Sequence, residues 1–330
     1  MRRLIPAAFL AACTDYNVGT LKDPNAITDT GAPPVEEDPR PDDTGATEEV
    51  DPEDTGATGS DDGGGDGGGD DGASTDTGDS GEPDPEDDPA PADDCADTED
   101  LIYLLDQDEN ALYLFDPSTA ALTPLGTFEC DPWTVPSSMA VSRDGIAYIR
   151  HSDDSLWALD LATFSCSPTG YAPGSFGGFG MGYATDTAGT WRETLYLANR
   201  SALATLDTSS FARSPVGGLP SQSELTGNAA GELWGVFPLE SPARVRRLDP
   251  SSGAALETRS LSGFPDPADI DTFAFAAWNG DLYIFVRTFG VGNSTDVYRV
   301  EASGALTRIA QRIGINAVGA GVSTCAPDGT

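Results

Sequence analysis

From residue 101 to residue 330 the chain reads as short runs in which apolar and polar positions alternate, the period-two pattern of strands packed on a pleated surface. One run recurs five times, as ALYLFDPST at 111–119, SLWALDLAT at 155–163, ALATLDTSS at 202–210, RVRRLDPSS at 244–252 and DVYRVEASG at 296–304. Each predicts a strand ending in an acid followed by Ser or Thr, residues whose side chains bond nearby backbone amides in turns. A more apolar strand precedes each copy: LIYLL at 101–105, IAYI at 146–149, LYLA at 195–198, LWGV at 233–236 and LYIFV at 282–286. Turn signals such as Arg143-Asp144-Gly145 and Asn279-Gly280-Asp281 introduce several of these strands. Before them come strands of small residues, SMAVS at 138–142, GMGYA at 180–184, FAFAA at 273–277 and AVGAGV at 317–322.

The five acids, Asp116, Asp160, Asp207, Asp249 and Glu301, lie 44, 47, 42 and 52 residues apart. That spacing is the period of a four-stranded propeller blade. The first repeat has no small-residue strand before it, and the last such strand, within 315–324, has no repeat after it. Ring closure accounts for both absences, because the C-terminal strand then completes the N-terminal blade and leaves no free edge. In this the chain resembles the β-propeller families whose repeats read Leu-Tyr-x-Leu-Asp-Pro-x-Thr-Gly, over about residues 101–325. The expected fold class is all-β, a five-bladed β-propeller; six blades remain the alternative, with 171–195 or 250–281 hiding one. The resemblance concerns architecture and brings no catalytic residue with it.

Five cysteines leave one unpaired, and the four from Cys95 onward can pair in three ways. In the circular arrangement Cys325 ends the inner strand of the closing blade and Cys95 lies just before the next strand of that blade, so a Cys95–Cys325 bond would lock the ring. Cys130 and Cys166 then fall on outer strands of successive blades. Such bonds persist outside the reducing cytosol.

Residues 14–100 are of a different kind. They hold 30 acidic and 2 basic residues, against 25 acidic and 13 basic in 101–330. No Phe, Tyr or Trp occurs from residue 17 to residue 102. Such a segment cannot bury enough apolar surface to offset its conformational entropy, so a disordered acidic linker is expected. Like charges extend it, the DDGGGDGGGDDG run loosens it, and the prolines of EPDPEDDPAPADD stiffen its end. The recurring Asp-Thr-Gly units at Asp29, Asp43, Asp54 and Asp76 read as spacer, because a calcium site or a protease dyad needs a folded loop or cleft. Acidity of this order also argues against a nucleic-acid partner.

At the other end, Arg2-Arg3 and the apolar run from Leu4 lead to Leu10-Ala11-Ala12-Cys13. This stretch resembles the lipobox of bacterial lipoproteins, and the resemblance implies a signal peptide at 1–12 and a lipid on Cys13. Thr14 rather than Asp follows, which resembles outer-membrane sorting. The expected organisation is signal peptide, lipidated cysteine with linker at 13–94, and propeller at 95–330. Membrane association would run through the lipid alone, and the chain is expected to act as a monomer.

Candidate chemistry is sparse. With one histidine, His151, the chain has little scope for a triad or a multi-histidine metal site, and His151 is expected at a hairpin turn. Asp106-Gln-Asp108-Glu-Asn110 lacks the glycine and the final acid of a calcium loop and reads as a strand turn. Asp266, Asp269 and Asp271 are expected in a longer inter-blade loop reaching the channel mouth, where carboxylates could serve catalysis. In the glycine-spaced run from Tyr171 to Tyr183, Phe176, Phe179 and Tyr183 could stack on sugars or anchor a protein partner; packing between blades is the plainer account. No catalytic residue, cofactor or metal is assigned. The function expected is a surface-tethered binding module for a protein or polysaccharide, with a glycan hydrolase or lyase as the alternative.

Overall fold

Each sheet is a meander of four antiparallel strands, the arrangement that alternating runs joined by short turns can reach without a crossover. The structure is a computed structural model, and it describes residues 95, 101–290, 292, 294–327 and 329. Cys13, the expected signal peptide and the rest of the expected linker lie outside the described residues.

In chain order the strands of the second blade are β4 (Pro136–Val141), β5 (Ile146–His151), β6 (Leu156–Asp160) and β7 (Ser165–Pro168). The third blade holds β8 (Gly180–Thr185), β9 (Glu193–Ala198), β10 (Ala202–Leu206) and β11 (Arg213–Gly218). The fourth holds β12 (Glu224–Gly227), β13 (Leu233–Phe237), β14 (Arg244–Leu248) and β15 (Ala255–Ser260). The fifth holds β16 (Ile270–Trp278), β17 (Asp281–Thr288), β18 (Asp296–Val300) and β19 (Leu306–Ala310). The first blade is made of β1 (Ile102–Asp106), β2 (Ala111–Asp116), β3 (Ala121–Thr127) and, innermost, β20 (Ala317–Gly321). The chain is therefore a five-bladed β-propeller closed by its C-terminal strand, with β20 antiparallel to β1 through Tyr103–Gly321, Leu104–Ala320 and Leu105–Gly319.

The core is divided into five clusters, one at each junction between neighbouring blades. Alternation on the second strand of each blade explains this. On β1, Ile102 and Leu104 face the fifth blade while Tyr103 and Leu105 face the second. On β17, Tyr283 and Phe285 pack toward the first blade, and Leu282, Ile284 and Val286 toward the fourth. Both faces of these strands are buried, whereas the outer strands β3, β7, β11, β15 and β19 hold only exposed and half-buried residues.

The inner strands form the ring β4, β8, β12, β16, β20 and back to β4. Small residues let them approach. A Cβ on Gly182 would lie 2.6 Å from the Leu225 carbonyl carbon of β12, and one on Gly319 would lie 2.7 Å from the Met139 amide nitrogen of β4. The recurring acids are turn residues at the far end of the third strands. Asp116, Asp207 and Asp249 each accept from the backbone amide and hydroxyl of a serine two residues on, and Asp160 accepts from the amides of Ala162 and Thr163. Glu301 has no such serine pair; its turn is closed by the backbone bond from the Gly304 amide to the Glu301 carbonyl.

Both disulfides are those of the circular arrangement, Cys95–Cys325 and Cys130–Cys166. Three particulars differ from the sequence expectation. Cys130 lies three residues past β3, in the loop to the second blade, and only Cys166 is on an outer strand. The inner strand of the fourth blade, Glu224–Gly227, is short and begins with an acid, so it lacks the small-residue signature of the other four. Asp271 stands on β16 rather than in the loop before it.

Gly182→Ala is expected to cost about 1–3 kcal/mol through backbone collision between β8 and β12, seen as a lower urea midpoint. Gly170→Ala, whose Cβ would meet nothing closer than 3.8 Å, is the control expected to leave the midpoint nearly unchanged.

Candidate functional site

The two faces of the ring are built from different turns. One face carries the loops from each outer strand to the next inner strand together with the turns between second and third strands. Here the inner strands begin, and the channel opens into a cavity of about 130 Å³ lined by Gln107, Ser137, Arg150, Gln222, Glu224, Asp271 and Thr272 among others.

Glu224 forms the floor of this mouth. Its carboxyl reaches over Gly180, where a Cβ would sit 2.7 Å from the Glu224 carboxyl carbon, and accepts a 2.9 Å bond from the Ser138 hydroxyl of the second blade. The residue is 5% exposed. Burial pushes its pKa up to about 8, against the pull of the Ser138 bond and of the Arg150 charge. Burial thus favours the protonated form of Glu224 near neutral pH.

Arg150, at the end of β5, donates to Asp154 at 3.0 Å and to the Ser137 carbonyl at 3.5 Å, and its guanidinium lies 5.4 Å from the Phe179 ring centre. Asp154 is itself held by the Gly178 amide at 2.7 Å. Asp271, exposed at the rim, is paired with Arg287. Hydrogen bonds tie the walls together around the ring. Gln107 donates to the Pro136 carbonyl at 2.9 Å, Asn316 donates to Gln107 and Asp108, and Thr272 donates to Asn316.

Asp266 caps the short 3₁₀ turn Pro267–Asp269 by accepting from the Ala268 amide, and Asp269 is exposed beside it. Of the three aspartates expected at the mouth, Asp271 alone lines it. The aromatics proposed as a binding surface are buried, and Tyr183 alone of the three edges a groove, on the opposite face. Phe176 is 5% exposed, Phe179 0% and Tyr183 5%, all within the cluster joining the second and third blades. Exposed large apolar side chains are elsewhere, and four of them ride on loops of the mouth face: Trp133, Val135, Leu239 and Phe289.

The opposite face holds the ring closure. Glu193, at the start of β9, accepts from the Arg143 amide at 2.8 Å and from the Thr324 hydroxyl at 2.7 Å, next to Cys325. Burial raises its pKa to about 7. A groove of about 770 Å³ beside it is lined by Tyr148, Tyr183, Trp191, Asp186 and Asp207 among others. Back at the mouth end, His151 ends β5 as expected, buried, with Nδ1 2.9 Å from the Thr134 hydroxyl; burial lowers its pKa. Among the described residues no group of three His, Cys, Asp or Glu side chains could hold a metal ion, and no helix is long and apolar enough to cross a membrane.

Sequence reasoning missed Glu224, Arg150 and Trp133. The blade period was the available signal for Glu224, since an inner strand must precede β13. Nothing local marks Trp133 as exposed.

The fold and its polar mouth define a five-bladed β-propeller. No family model matches the chain, and no curated protein matches it. Among solved structures, a protein of unknown function from Bacteroides caccae is 12% identical, with a TM-score of 0.36, covering 68% of this chain and 98% of its own. A chain of the mitotic checkpoint complex is also 12% identical, with a TM-score of 0.36, covering 69% of this chain and 81% of its own. An engineered GH43 glycoside hydrolase, described as showing endo-xylanase and exo-arabinofuranosidase activity, is 13% identical with a TM-score of 0.39, covering 56% of this chain and 43% of its own.

The raised acid has a definite linkage sign. A carboxyl whose folded pKa lies above its unfolded value stabilises the fold fully below the unfolded value, near 4.5, and that contribution is lost as pH rises through about 8. Glu224→Gln is therefore expected to raise Tm relative to wild type at pH 8 and to leave it nearly unchanged at pH 5. Taking the difference between the two proteins at each pH removes the opposing contribution of His151, which is lost as pH falls below 6.5.

Proposed function

We propose that this chain is an exported lipoprotein in which Cys13 anchors the protein to the outer membrane or cell surface, residues 14–94 space it, and the propeller binds a partner. The observation that carries this reading is the position of Cys95. Its disulfide to Cys325 follows the end of β20, on the face opposite the Glu224 mouth. A linker ending at Cys95 joins the propeller on the face away from the mouth, so its attachment point does not obstruct the mouth. Two disulfides fit a compartment outside the reducing cytosol. The spacer would reach tens of ångströms by random-coil scaling, about 5–6 Å times the square root of its length. The partner is a protein or a polysaccharide. Cys13→Ala is expected to move the protein from the membrane fraction to the soluble fraction on cell fractionation; a variant that still partitions with membranes would sink the anchor.

One observation favours a second reading. Glu224, whose burial favours the protonated form, and Asp271 line the same cavity. A protonated acid near a second carboxylate is what glycosidic bond cleavage requires of a site. In that reading Glu224 supplies the proton and Asp271 acts on the opposite side. Turnover of a glycan that both Glu224→Gln and Asp271→Asn abolish is the expected result, measured as reducing ends released. Wild-type protein inert across a broad glycan panel would remove the enzyme reading and leave the binding one.

A further inference from the structure

Trp133 is 90% exposed, more than any other large apolar side chain among the described residues. It is not on a loose tip. The loop that carries it, between β3 and β4, is stapled three residues earlier by Cys130–Cys166 to the outer strand of the second blade. Asp131 then accepts from the Trp133 amide at 2.8 Å and from the Thr134 hydroxyl at 3.0 Å, and that hydroxyl lies 2.9 Å from buried His151. One residue further on, the Val135 carbonyl accepts from the Ser152 amide at 2.8 Å. Such restraint removes the entropy that a mobile loop loses on binding.

The loop leads directly to the mouth. Pro136, whose carbonyl holds Gln107, is three residues from Trp133, so their Cα atoms are at most about 11 Å apart. A ligand lying on the indole therefore lies beside the rim of the mouth at Pro136, whose carbonyl holds the Gln107 side chain.

We propose that Trp133 is a stacking platform for a sugar ring and that the ligand of this face is a neutral polysaccharide. The proposal rests on the binding reading of the propeller and names its ligand class. Three features carry it. A flat, exposed indole on a restrained stretch of backbone offers an apolar surface to the C–H face of a sugar ring, with a polar edge beside it. The centre of the face is an array of amide, guanidinium and carboxylate groups suited to hydroxyls, while the apolar side chains stand around it on separate loops. Protein interfaces have the reverse arrangement, an apolar centre inside a polar rim. Finally, residues 101–330 hold 25 acidic against 13 basic residues, an excess of negative charge that disfavours anionic polymers and does not act on neutral ones.

The test is affinity electrophoresis of the full, oxidised chain in native gels cast with xylan, arabinan, galactomannan, mixed-linkage β-glucan or dextran, with polygalacturonate as the charged comparison. Retardation by at least one neutral polymer is expected, weakened about tenfold or more in Trp133→Ala and largely kept in Trp133→Phe. Both variants are expected to keep the wild-type Tm, because the side chain is exposed. Passage through all the neutral gels, retardation by polygalacturonate alone, or retardation unchanged in Trp133→Ala each overturns the proposal. A Trp133-dependent crosslink to a protein on intact cells, without polysaccharide binding, also overturns it while leaving the binding-module reading in place.

Discussion

Everything in this propeller depends on how closely five inner strands can approach one axis. With five blades the ring is tight, and backbone lies against backbone at Gly182 and Leu225 and at Gly319 and Met139. The same economy of side chains makes room for Glu224 at the mouth. Glu224 lies across Gly180, and only a residue without a Cβ leaves space for that carboxyl to reach Ser138. A packing requirement of the fold and a chemical feature of the mouth therefore share one position.

Around this ring the hydrophobic core is distributed rather than central. Five clusters between blades, each fed by alternate residues of two neighbouring strands, make each blade dependent on both neighbours. Such a ring is only as stable as its closing seam. The seam is secured in several ways, by the pairing of β20 with β1, by Asn316 bonded across to Asp106, Gln107 and Asp108, and by the disulfide from Cys325 to Cys95. A bond across 230 residues of sequence constrains the unfolded chain strongly in the loop-entropy account, by about 5 kcal/mol.

The closure also gives the molecule a direction. Glu193, Thr324 and the Cys95–Cys325 bond occupy the end of the channel opposite Glu224, so the closing seam and the open mouth are separated by the length of the inner strands. Buried acids at both ends have raised pKa values for the same reason, loss of water. Their settings differ. Glu193 is enclosed by a backbone amide and a hydroxyl that tie three segments together, whereas Glu224 borders a cavity with Arg150 and Asp271.

Blade number, strand order, ring closure and disulfide pairing were legible in the amino-acid sequence, because each follows from local alternation, a repeat period and the unmatched strands at the two ends. The turn role of Asp116, Asp160, Asp207 and Asp249 was legible too, since an Asx turn closes within a few residues. What only the tertiary structure decided is which side chains meet and which face water. Phe176, Phe179 and Tyr183 look like a display of aromatics along the chain, yet two blades close over them. Trp133 looks ordinary and stands in solvent, held out by a disulfide and a buried histidine from the next blade. Glu224 sits in a four-residue strand with no pattern of its own, and its chemistry comes from Gly180, Ser138 and Arg150, contributed by two other blades. Periodicity is a property of neighbours in the chain, whereas burial and electrostatic environment belong to neighbours in space.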